Sequence, residues 1–200
     1  MKRTVTVVGS ASVSVDPDCA RLSLGVQVNG ANAQDVLRRS NDSTRAIIDA
    51  LTDAGISRAD LRTGGPRLYP IEQGYAGGND VSVLVRDVAA VGAVVDAVAG
   101  AAGPNLTMHG IAFSMLDPAA HLSDARAAAM RAARAIADEL ATASGAAVGE
   151  VLTIDESRGG FPAPMPGVRL VATSAPTPVE SGAQELRIDV VVTYRLIDSA

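Results

Sequence analysis

The chain has 200 residues, 48% of them hydrophobic and 20% charged, a size and balance that can bury a core without disulfides or a structural metal. Its 22 acidic against 17 basic residues leave a formal net charge of -5, which argues against a sequence-independent grip on nucleic acid or an anionic membrane. The lone Cys19 excludes a disulfide framework and any multi-cysteine zinc or iron-sulfur site.

Met1-Lys2-Arg3 runs directly into the alternating Thr4-Val5-Thr6-Val7, which reads as a strand and not as a secretory signal, so the expected compartment is the cytoplasm. Thr4–Gly9 and Ser12–Val15 alternate small polar residues with Val, and Asp16-Pro17-Asp18 supplies turn chemistry, which predicts a hairpin. From Ala20 to Asn29, Ala, Leu and Val hold one parity and Arg21, Ser23, Gly25, Gln27 and Asn29 the other, the pattern of a strand with one buried face. From Asn32 the period lengthens: Ala33, Leu37, Ser40, Thr44, Ile47 and Leu51 predict an amphipathic helix of about 23 residues, stopped by Gly55 with Ile56 folded back. Leu61–Ile71 and Val81–Val85 read as a hairpin joined by a loop holding Gly74, Gly77 and Gly78.

Asp87 is a suitable N-cap for a short helix carrying Val91, Val94, Val95 and Val98. Val88–Leu106 is the most apolar long stretch, but Asp96, Gly100, Gly103 and Pro104 interrupt it, so no membrane span is expected. Leu106–Met115 is extended with a slip in apolar parity that a bulge at Gly110 would explain. Asp117-Pro118 opens a long helix to about Ser144, with an apolar stripe of Leu122, Ala129, Ala133, Ile136 and Leu140. Arg126 falls close to that stripe and is expected to act as a structural ion pair with a carboxylate or carbonyl partner. Val151–Glu156 and Glu185–Ile197 are strands, and between them Ser157–Ala183 is rich in proline.

These elements predict an α+β fold with a mixed, mainly antiparallel sheet, two long amphipathic helices and one short helix. The expectation is a single domain over residues 1–200 with a long proline-rich loop at 157–183. No site with catalytic spacing is legible, and no cofactor is expected. Asp117 with His121, joined by His109, is the best metal candidate, but a capping Asp and an exposed His explain the pair more simply. Cys19 has no sequence-local His, Lys or helix N-terminus to activate it. Arg131 and Arg134 read as a solvated helix face, with Asp138 one turn from Arg134, and Asp16 and Asp18 read as turn carboxylates.

The order of the joints carries a resemblance. Val5-Thr6-Val7-Val8-Gly9, Pro17-Asp18-Cys19-Ala20, Ala50-Leu51-Thr52-Asp53-Ala54-Gly55-Ile56, Val81–Asp87, Gly110–Ser114, Asp124-Ala125-Arg126 and the strand after Glu180-Ser181-Gly182 together resemble the SIMPL-domain family over nearly the whole chain. That family is named for a mammalian kinase-associated adaptor and includes bacterial periplasmic immunogenic and oxidative-stress proteins. Many bacterial members carry an export signal, and the loop between Tyr69 and Val81 is shorter here than is common among them.

The resemblance brings no catalytic residues. It implies a non-enzymatic, self-assembling protein, a homo-oligomer of stress or envelope physiology. The expected interface residues are Phe161, Met165, Val168, Leu170 and Val171 of the proline-rich loop with Leu186 and Tyr194 of the last strand. Two alternatives stand beside it. One is an enzyme or small-molecule binder whose pocket gathers Arg126, His109 and Asp117; the other is an adaptor for a further, unidentified protein.

Overall fold

The computed structural model describes residues 3–158 and 177–198. Among them are eight strands and three α-helices, with every strand pair antiparallel, so the fold is α+β as expected. The chain divides into two compact units. One holds the residues up to Asp16, those from Asp117 through the strand ending at Arg158, and those from Gly182 on; the other holds Pro17–Leu116 and the stretch ending at Ser181. The expected interface residues Phe161, Met165, Val168, Leu170 and Val171 lie outside the described residues.

The first unit is a three-stranded sheet under one helix. β1 (Thr4–Val15) pairs with β8 (Gln184–Asp198), and β8 pairs with β7 (Ala146–Arg158), giving the order β1-β8-β7. The alternation in β1 and β8 turns Val7, Leu186, Ile188, Val190, Val192 and Tyr194 toward α3 (Pro118–Ala143). Asp117 caps α3 by accepting the Ala119 N–H at 3.0 Å, and Pro118 takes the first turn, where no N–H is needed.

The stripe that α3 buries differs from the expected one. Ala125, Ala129, Ala133, Ala137 and Ala141 face the sheet, while Ile136 is 40% and Leu140 50% exposed. The reason is Gly9: a Cβ there would run into the Ala129 carbonyl oxygen and lie 2.7 Å from the Ala133 Cβ. The helix therefore rests on β1 at backbone distance, and only methyl-sized side chains fit between them.

The predicted pairing of β1 with the next strand is also corrected. β2 (Cys19–Gly30) belongs to the sheet of the second unit, and Asp16-Pro17 marks the change of unit rather than a hairpin turn. Turn residues break a strand but do not say which strand comes back.

In the second unit, β2 lies between β5 (Gly74–Val85) and β6 (Leu106–Ser114). β3 (Leu61–Thr63) and β4 (Arg67–Ile71) both pair with β5. α1 (Ala33–Asp53) and α2 (Val91–Ala102) supply the apolar cover: Val36, Ile47, Leu51, Val91, Val94, Val95 and Val98 pack with Leu22, Leu24, Val26, Val28, Val81, Val83 and Val85. Each such side chain contributes about 1.5–3 kcal/mol when fully buried.

Asn32 caps α1, accepting from the Gln34 N–H at 2.8 Å. The Ile56 N–H closes the far end on Leu51 O at 3.0 Å around Gly55, whose φ is 85°. β4 and β5 form a hairpin, yet Gly74, Gly77 and Gly78 sit inside β5 and not in a loop. At Gly77 a Cβ would lie 2.7 Å from Val36 Cγ1, so α1 needs the bare strand.

Two further expectations hold. Asp87 caps a single 3-10 turn, Val88–Ala90, that leads into α2, its carboxylate accepting the Ala89 N–H. β6 bulges where its parity slips: Ser23 pairs with Gly110 and Leu24 with Met108, leaving His109 as the extra residue and Gly110 at φ 152°. The described end of the proline-rich segment folds onto its own unit. Thr177 donates its N–H and hydroxyl to Asp96 of α2 at 3.2 and 2.6 Å, and Val179 packs on the core.

Candidate functional site

The solvent-facing parity of β2 runs through Gly25, opposite Asp80 on β5 and Thr107 on β6. Because Gly25 has no side chain, its neighbours lean over it. A Cβ there would lie 2.6 Å from Thr107 Oγ1, 2.7 Å from His109 Nε2 and 3.2 Å from Asp80 Oδ1. The bulge makes this convergence possible, since the inserted residue of a bulged strand is re-aimed out of the ladder.

Asp80 is also gripped by both terminal nitrogens of Arg67, one at 2.7 Å, and this carboxylate raises the Arg67 pKa above its ordinary value. His109 Nε2 stands 3.6 Å from Asp80 Oδ1, long for a direct hydrogen bond. A hydroxyl, an imidazole and a paired carboxylate thus meet on an open sheet face, where they offer hydrogen bonds to a small polar molecule.

Of the expected pocket residues Arg126, His109 and Asp117, each is engaged within its own unit. Asp117 caps α3, and Arg126 lies nine residues further along the same helix, about 13 Å of rise away. Arg126 donates Nε and Nη2 to the two Glu156 oxygens of β7 at 2.8 and 3.0 Å, and this carboxylate raises the Arg126 pKa. The pair is half-exposed, 40% and 29%, so it clamps α3 to β7 at the surface and is not a buried charge pair. His109 belongs to the other unit, with Asp80.

Arg134 follows the same flank as Arg126: it bonds Asp138 at 3.1 Å and Val148 O at 3.3 Å, and its guanidinium lies 5.7 Å from the centre of the Tyr194 ring. Leu186 and Tyr194, expected at a subunit interface, are instead buried in the core of their own unit, because β8 is the central strand and this parity faces α3. His121 is exposed in the first turn of α3. No three His, Cys, Asp or Glu side chains gather as a metal site among the described residues.

Cys19 is buried with its Sγ bonded to the Ser114 backbone and hydroxyl at 3.2 Å, and burial pushes its thiol pKa up, away from the reactive thiolate. Asp18 accepts the Leu116 N–H at 2.8 Å and so ties the two strand ends together. Residues Val88–Asn105 have the length and hydropathy of a membrane span, but the α-helix within them covers 12 residues and its valines line a core.

Two pairs escaped the sequence. Asp60 and Arg86 form a double hydrogen bond at 2.8 Å, and Asp96 holds Thr177. Both join residues 26 or 81 positions apart, a separation that no periodicity encodes.

Two curated relatives, the 26 kDa periplasmic immunogenic proteins of Brucella melitensis biotype 1 and Brucella abortus (strain S19), are each 28% identical over 214 residues. The match covers 96% of this chain and 84% of the relative. Their names overturn the cytoplasmic expectation: the alternation of the first residues describes strand β1 and carries no address. Among solved structures, AtUAH in complex with glyoxylate matches with a TM-score of 0.33 at 16% identity, covering 52% of this chain and 29% of that one. An unknown protein from Galdieria sulphuraria matches with 0.26 at 11% identity, covering 90% and 84%. Both are too distant to bear on fold or chemistry.

The SIMPL family model, described as a protein of unknown function (DUF541), matches residues 5–194, across both units, and the chain belongs to that family.

Proposed function

We propose that this protein works in the cell envelope as a non-enzymatic, self-assembling SIMPL protein. The observation that carries the reading is the amount of apolar surface left open on the first unit: Val8, Ile136, Leu140, Val151, Leu152 and Ile154 are all exposed large hydrophobic residues. Scattered apolar residues are ordinary on a surface, but this many on one helix and both edge strands of one small unit, with Ile197 of β8 beside them, leave apolar area that association could cover. The envelope location is supported by the two relatives named periplasmic.

Native mass measured across a wide concentration range tests the assembly, with a multiple of the single-chain mass expected and a monomer at every concentration overturning it. Fractionation of the native host tests the location. Recovery in the cytoplasmic fraction alone would remove the envelope from the reading.

A small-molecule binder is the second reading, favoured by the convergence of Thr107, His109 and Asp80 over Gly25. A compound that raises the melting temperature of the protein but not of Thr107→Val or His109→Ala would carry it, since ligands stabilise by mass action on the folded state. A panel of small polar compounds that leaves all three proteins unshifted would set it aside.

A further inference from the structure

An edge strand offers unpaired N–H and C=O groups to any other strand, and proteins blunt such edges with charge, proline, brevity or bulges. Most of the edges described here are blunted. β7 has register shifts at Val148/Val151 and Val151/Thr153 and carries Glu150, Asp155 and Glu156. β6 is bulged at His109, β3 has three residues, and β4 carries Arg67 and Pro70.

β1 has none of these devices. Its residues, TVTVVGSASVSV, include no charge and no proline. They pair with β8 without a register shift from Thr4 to Val15, and among the described residues β1 pairs with no other strand.

A second observation concerns the helix above that edge. Arg126 and Arg134 each follow an alanine of the buried stripe and reach β7, through Glu156 and Val148 O, whereas Ile136 and Leu140 each precede one. Measured from Ala133, which sits over Gly9, at 100° per residue, Arg134 lies about 100° round toward β7, whereas Ala132 and Ile136 lie about 100° and 60° the other way, on the β1 side. The flank toward β7 is charged and clamped. Toward the free edge, Ala132 and the exposed Ile136 leave an apolar surface open.

We infer that β1 is a seam for a second copy of this chain, its β1 pairing antiparallel with the first to join two three-stranded sheets into one of six strands. This rests on the self-assembly reading and names its contact. The strand is complementary to itself. A two-fold axis at Gly9 sets Val5 opposite Val13 and Val7 opposite Ala11 on the helix side, and Thr6 opposite Ser12 and Val8 opposite Ser10 on the other. An axis at Ser10 likewise keeps Val and Ala on one face and hydroxyls mainly on the other. With no charge on the strand, its own copy meets no repulsion. Gly9 lies beneath Ala129 and Ala133, so the two α3 helices run antiparallel on the same face with their Ala132 and Ile136 flanks turned toward each other.

Val8→Lys combined with Ile136→Lys puts like charges across the seam at positions that are exposed in the single chain. The double variant should keep its circular dichroism while its native mass falls to half or less. A folded variant of unchanged native mass overturns the seam and leaves self-assembly standing, whereas a wild-type protein that is monomeric throughout overturns both. Should the double variant fail to fold, a spin label on Ser14→Cys in a Cys19→Ala background decides. Two-fold axes at Ser10 or Gly9 separate the two Ser14 Cα atoms by about 26 or 33 Å, eight or ten strand residues. A dipolar distance distribution without a population in that range overturns the proposal.

Discussion

Gly9 lies so close beneath Ala133 that a methyl group on it would come 2.7 Å from the Ala133 Cβ and 2.6 Å from the Ala133 nitrogen. The first obstacles are helix backbone, which cannot swing aside as a side-chain tip can. Gly9→Val should therefore force α3 off the sheet. The expected cost is about 1–3 kcal/mol or more, the range for overpacking a well-filled interior. Urea denaturation reads it as a lower midpoint with the slope unchanged, and a midpoint equal to that of the parent would show that the contact is looser than described.

Asp96 secures Thr177 by two hydrogen bonds, while Val179 packs against the core nearby. Asp96→Ala should release residues 177–181 without unfolding the rest, because the buried valines of α2 stay in place. Hydrogen exchange at Thr177 is the measurement. It should quicken by an order of magnitude or more, hydrogen bonds to a charged group contributing about 1.5–3 kcal/mol when made well. Unchanged exchange would mean that Val179 alone anchors the segment.

Acid should weaken the fold through two carboxylates. The Arg86 hydrogen bonds hold Asp60 below its ordinary value of 3.8, and the Ser10 hydroxyl, then Arg187, does the same for Asp189. Both groups bind protons less readily folded than unfolded, so their stabilisation is complete above the unfolded value and disappears as pH falls through the lowered folded values. Stability plotted against pH should thus be flat in these contributions from neutrality down to about pH 5 and then decline. Asp60→Asn should make the decline shallower; an identical acid limb would show that this pair does not differ between folded and unfolded chains.

Arg126 and Glu156 join α3 to β7 at a half-exposed position. Arg126→Met should lower the melting temperature slightly at low ionic strength, and the difference should shrink in about 1 M salt, where charges are screened beyond about 3 Å. A salt-independent loss would point to the packed aliphatic stem of the arginine instead.

Much of the local structure was written in the sequence. Period-two alternation marked β2 and β8, Asn32 and Asp117 marked helix starts, Gly55 marked a helix end, and the parity slip marked the bulge that carries His109. These signals are legible because they depend on backbone geometry and on contacts a few residues apart.

Tertiary packing decided the remainder. Whether β1 turns back on β2 or pairs with β8, some 180 residues later, depends on which apolar faces meet, and no turn residue records that. The sequence marked Ile136 and Leu140 as core because they are large and apolar, but the approach of α3 to Gly9 reserves the contact for alanine and turns the larger side chains outward. The convergence over Gly25 has the same origin: a strand register sets Asp80 and Thr107 beside an absent side chain, and a bulge adds His109. Sequence periodicity fixes which face a residue occupies within its own element. Only the close packing of elements distant in the chain determines what that face meets.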